Sequence, residues 1–90
     1  MRVVAKDRFI SCQIQYVPLK TLETDNDVQQ VLEIISNSGL EYQVGSMTTQ
    51  IRGKAEEVFG LLQLIEKKMT ENNRRFTMNT IISNDCGCHQ

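Results

Sequence analysis

The most reactive side chains of this sequence lie together at its end, in Cys86-Gly87-Cys88-His89. Two thiols and an imidazole are soft ligands suited to zinc or copper(I). The spacing is tighter than Cys-x-x-Cys, and a fourth ligand is missing, because the one other cysteine, Cys12, falls on the core side of an alternating segment. The plainer reading is a flexible tail, residues 84–90, with free thiols; a metal or redox role for it is the sharper alternative. His89 is the only histidine and stands next to the last residue, so no histidine-based acid/base pair or triad is built around it. Gly39, Gly45, Gly53 and Gly60 stand singly and form no phosphate-cradling loop. Glu23, Asp25 and Asp27 cluster, but they flank a helix start, where carboxylates cap and answer the helix dipole. These residues point away from an enzyme: no catalytic residue, metal site or cofactor is assigned.

Bulk properties narrow the class further. Ninety residues make a single domain, 1–90, with 40% hydrophobic and 23% charged residues, the balance of a globular protein. A net charge of −1 supplies no field that would draw nucleic acid or an anionic membrane. No stretch is apolar for long enough to span a bilayer, and Met1 to Lys6 lacks the longer apolar run of a signal peptide. An odd count of three cysteines argues against a disulfide framework. A cytoplasmic location is therefore expected.

The elements that must position any site follow from hydrophobic period. In residues 9–17, Ile10, Cys12, Ile14 and Tyr16 alternate with Ser11, Gln13 and Gln15, a half-buried strand that Pro18 should end. In 25–38, Val28, Val31, Leu32 and Ile35 form a helical stripe, with Thr24 and Asp27 resembling a capping box and Gly39 ending the helix. Residues 40–53 read as two short strands about Gly45-Ser46, with Tyr42 and Val44 on one face and Thr48, Gln50 and Arg52 on the opposite face of the second. In 54–71, Val58, Leu61, Leu62, Ile65 and Met69 form the strongest helical stripe, widened by Phe59 and Leu64. Asn72-Asn73 closes it, and residues 75–83 return to a strand. The order β-α-β-β-α-β predicts an α+β, ferredoxin-like domain: a four-stranded antiparallel sheet with two helices on one face.

The other sheet face is then open, and its composition is unusual. Ser11, Gln13, Gln15, Gln43, Thr48, Gln50, Arg52, Thr77 and Asn79 fall on it, rich in amides and hydroxyls with little charge. Such a face is solvated, pairs with a second copy as a homodimer or tetramer, or holds a polar heterocycle whose ring nitrogens and amino group match amide and hydroxyl partners. Arg52 adds a rigid planar donor. A structural or regulatory oligomerisation module without a small-molecule ligand is the alternative of a different class.

Two stretches then carry a family resemblance: Thr49-Gln50-Ile51-Arg52-Gly53 followed by Val58-Phe59, and Phe76-Thr77-Met78-Asn79 running to Ser83 and Cys86-Gly87. Both resemble the YkoF-like family, in which T-x-x-R-G leads a helix carrying V-F and the last strand reads x-M-N with S-x-x-C-x-G after it. Val17-Pro18-Leu19 is similar to that family's Y-P-M, with Val17 where the family has an aromatic residue and Tyr16 beside it. The proline that follows the tail cysteine in the family is absent. The resemblance covers about residues 10–87 and implies a ferredoxin-like protein of the cytosol. Its implied ligand is thiamine or the hydroxymethylpyrimidine precursor, in the service of uptake or salvage. The founding type carries two such domains, so a single-domain chain implies at least a homodimer. Distant single-domain relatives carry Glu where Arg52 stands, which places this chain with the YkoF branch. Combining resemblance and open face, the expected ligand-binding residues are Ser11, Gln13, Tyr16, Thr48, Thr49, Arg52 and Asn79.

Overall fold

The alternation around Cys12 becomes β1 (Phe9–Leu19), the strand on which the sheet is assembled. In the computed structural model, which describes residues 8–85, the order continues with α1 (Thr24–Ser36), β2 (Glu41–Val44), β3 (Thr49–Lys54), α2 (Ala55–Glu71) and β4 (Arg75–Ser83). The sheet runs β2-β3-β1-β4 with every neighbouring pair antiparallel. This is the α+β, ferredoxin-like βαββαβ arrangement that the element order predicts. Among the described residues, no helix is long and apolar enough to cross a membrane.

Register fixes which side chains share a face, because residues opposite one another in an antiparallel pair point the same way. Cys12 lies opposite Ile51 and Ile82, and Ile14 opposite Thr49 and Thr80. These positions face the helices, and Cys12 and Ile51 are fully buried. Burial pushes the Cys12 thiol above its ordinary pKa. On the other face, Gln43, Gln50, Gln13 and Ile81 form one row across all four strands. Glu41, Arg52, Ser11 and Ser83 form the next.

The helices bury narrower stripes than the sequence suggests. On α2, Ala55, Val58, Leu61, Ile65 and Met69 are buried. Leu62 is only half-buried, and Phe59 and Leu64 turn outward, because a helix lying on a flat sheet presents one line of residues and not a broad arc. Pro18 does not end β1: the strand continues to Leu19, pairing Pro18 with Phe76. Beyond Ile14 the only strand beside β1 is β4, which leaves a side on which a missing N–H costs no ladder bond. Gly39 takes φ +81° after α1, as the helix stop requires, and Asn73 takes φ 63° after α2. Gly53 answers a different demand. A Cβ there would lie 2.8 Å from Leu40 Cδ2, so any side chain at the end of β3 would make the Leu40 side chain shift.

Ile65 is fully buried at the centre of the α2 stripe. Ile65→Ala should cost roughly 2–5 kcal/mol in urea unfolding, with Leu62→Ala costing clearly less. Equal losses would mean that the α2 phase described here is wrong.

Candidate functional site

The seven residues singled out in the sequence separate onto the two sides of the sheet. Ser11, Gln13, Arg52 and Asn79 lie on the open face. Asn79 donates to Gln15 Oε1 at 3.2 Å, and Arg52 Nη1 to Glu41 Oε2 at 3.4 Å. Arg52 is thereby occupied at the rim of a shallow polar depression of about 290 Å³ shared with Glu41, Tyr42, Gln43 and Gln50. Thr48, assigned to the open face from alternation, instead precedes β3 in the hairpin connection, where Gly45 N–H donates to the Thr48 carbonyl at 2.8 Å. Tyr16 and Thr49 face the helices.

Those last three residues meet. Tyr16, Thr48 and Thr49 line a cavity of about 300 Å³ between α1, the second half of β1 and the β2–β3 connection. Its apolar walls include Ile14, Val28, Val31, Leu32, Val44 and Met47, with Thr24 and Ser46 adding hydroxyls. Among the described residues, no charged side chain lines it. An apolar concavity with a few convergent hydroxyls is the usual form of a small-molecule site. The sequence places α1 against this cavity through Val28, Val31, Leu32 and Ile35, all on one face of the helix.

Beside the cavity sits a buried ion pair. Asp27 is fully buried on α1, and Arg74, between α2 and β4, donates from Nε to Oδ2 at 3.1 Å while lying 3.0 Å from Oδ1. Arg74 Nη2 also donates to Thr21 Oγ1 at 2.8 Å and lies 3.9 Å from Glu23 Oε1. This overturns the capping reading of Asp27: Glu23 occupies the N-cap, no side chain caps the helix, and Asp27 points into the protein. The signal was present in the spacing, since Asp27, Val31 and Ile35 succeed one another at intervals of four along the buried stripe.

Tyr16 connects the pair to the cavity. Its ring stacks on Phe76 with centroids 5.0 Å apart, and its phenol oxygen is buried without a hydrogen-bond partner among the described residues. Burial raises the phenol pKa above its ordinary 10.0; Asp27 raises it further and Arg74 opposes. At neutral pH Tyr16 is thus a neutral donor with nothing to donate to. Cys86, Cys88 and His89 lie outside the described residues.

Comparison with known proteins follows this geometry. A family model described as thiamine-binding protein matches residues 12–86. Among solved structures, a candidate thiamine biosynthesis/salvage protein from Thermotoga maritima superposes with a TM-score of 0.76 at 23% identity, covering 83% of this chain and 82% of that one. A domain of unknown function from Bacillus cereus gives 0.77 at 19% identity, covering 90% and 80%. A hypothetical protein from Methanocaldococcus jannascii gives 0.74 at 17%, covering 84% and 79%. At these identities the structural likeness establishes the fold alone. None of the curated proteins compared matches the chain in sequence.

Two outcomes test the buried groups. Arg74→Met should cost about 3–5 kcal/mol in urea unfolding, because it strands the Asp27 charge, and Asp27→Leu added to it should restore part of that loss. Tyr16→Phe should leave the ligand-free protein as stable as the parent near neutrality. Because the folded state holds the Tyr16 proton more tightly than the unfolded chain, the phenol's contribution is complete below pH 10.0 and is lost as pH rises through the higher folded value. In alkaline unfolding scans Tyr16→Phe should therefore lose less stability than the parent above that pH. Identical scans would place the phenol in water.

Proposed function

The chain belongs to the thiamine-binding protein family, whose match spans residues 12–86, and from that premise we propose a binding protein, not a catalyst. Its ligand is thiamine or the hydroxymethylpyrimidine half, held in the cavity between α1 and the β2–β3 connection. In this reading the protein is cytoplasmic and serves uptake or salvage of the vitamin.

The observation that carries this reading is the Tyr16 phenol, buried and unpartnered in the wall of an uncharged cavity. An aminopyrimidine presents ring-nitrogen acceptors and an exocyclic amino donor on one edge. Tyr16 supplies a donor; Thr48 and Thr49 supply hydroxyls that donate or accept. Val28, Leu32 and Met47 offer the flat ring apolar contact. About 300 Å³ is at the small end of ligand sites and suits one heteroaromatic ring with short substituents.

The open face is assigned to a second copy of the chain. Phe9 and Ile81 are exposed on it at 58% and 65% beside the amide row Gln43, Gln50 and Gln13. Amides both donate and accept, so two copies related by a two-fold axis satisfy one another without charge matching. Ser11, Gln13, Arg52 and Asn79 then belong to a homodimer or tetramer interface. A second reading places the ligand in the depression lined by Gln43, Gln50 and Arg52, where a planar cation lies beside amide donors and acceptors.

Calorimetry separates the two sites. With thiamine and with hydroxymethylpyrimidine, Tyr16→Phe should weaken binding about tenfold or more, whereas Arg52→Ala should change it less than about twofold. The reverse pattern would move the ligand to the open face, and the absence of heat from both ligands with the parent protein would end the binding proposal. In sedimentation at tens of micromolar the parent should be oligomeric and Ile81→Lys should shift it toward monomer; a parent that sediments as a clean monomer refutes the interface.

A further inference from the structure

The chemistry of the cavity and its surroundings discriminates among forms of the ligand. Resting on the reading above, we infer that the site takes the unphosphorylated ligand and rejects its phosphate esters.

A phosphate needs an unspent cation or an open helix N-terminus. Among the described residues, none that lines the cavity is charged. The helix N-terminus at its edge is that of α1, whose first residue, Thr24, lines it. Glu23 stands at the cap of that helix and Asp25 in its first turn, so two carboxylates answer the positive end of the dipole, beside Asp27, whose charge Arg74 neutralises. Arg74 is committed to Asp27 and Thr21. Arg52 lies across the sheet, paired with Glu41. Lys20, in the connection after β1, is exposed and lines no part of the cavity. A phosphate on the pyrimidine would exchange its water for apolar walls, and a phosphate on the thiazolium side meets the like charges of Glu23 and Asp25 outside the cavity. The thiazolium cation of thiamine meets the opposite field: Glu23 and Asp25 flank Thr24 and favour positive charge outside the cavity while the neutral pyrimidine occupies it.

The test compares hydroxymethylpyrimidine, thiamine and thiamine monophosphate by calorimetry on the parent protein and on Asp25→Lys, an exposed position on α1. The monophosphate should bind the parent about tenfold or more weakly than thiamine, and Asp25→Lys should narrow that gap from both sides. Neutral hydroxymethylpyrimidine, which binds without a charge of its own, reports whether the cavity is intact in the variant. A monophosphate that binds the parent as tightly as thiamine overturns the selectivity and leaves the ligand reading standing. Failure of all three compounds to bind the parent overturns the ligand reading and the selectivity with it.

Discussion

Arg74 on Asp27 is the interaction that locks the two halves of this domain together. It joins the first turn of α1 to the connection between α2 and β4, segments far apart in the chain and adjacent in space. Removing two charges from water is costly, and the pair is tolerated because Arg74 also bonds Thr21 and Asp27 receives a directed donor. The geometry that results fixes where α1 begins. It seats Thr24 and Val28 at the cavity and sets the Asp27 charge within reach of the Tyr16 phenol. Asn72 adds a second link between the helices through its donation to Gln30 at 3.3 Å.

The second constraint is that one sheet must serve two surroundings. With both helices on one side, each strand alternates between a packed face and an open one. β1 separates them most sharply: Cys12 and Ile14 are buried on one side while Gln13 is exposed on the other. The consequence for function is a division of labour by parity. Even-numbered positions of β1 reach the cavity side, and odd-numbered ones reach the face assigned to a partner copy.

How much of this was legible in the sequence follows from what period can express. The strand alternation around Cys12, the α2 stripe, the stop at Gly39 and the sheet order all stem from local pattern and short connections. Asp27 was misread because a carboxylate near a helix start has an ordinary surface explanation, and its partner, Arg74, is distant in sequence. The cavity could not be read at all. It depends on how the connection from Gly45 to Thr48 folds beside α1, which no hydrophobic period encodes. The expected ligand set therefore mixed both faces: Tyr16 and Thr49 entered through the family resemblance, Ser11, Gln13 and Thr48 through polarity, and Arg52 and Asn79 through both. Gly53 is the instructive case between these extremes. The sequence reading ends the second strand at it, yet β3 runs through it to Lys54, and a side chain there would make Leu40 shift.

The central place of β1 also governs the order in which this protein can be made. Its neighbours are β3 and β4, so the first of the described strands to leave the ribosome pairs with the last of them: Ser11 meets Ser83. Until β4 emerges, β1 has one bare edge, and Tyr16 lacks Phe76. Contacts of such sequence separation close slowly, because the chain entropy of a long loop must be overcome before they form. Folding of the sheet is thus postponed until β4 has emerged. A chain interrupted before β4 would retain α2 and the β2–β3 hairpin as local structure around an unsatisfied first strand, a natural substrate for chaperones and proteases.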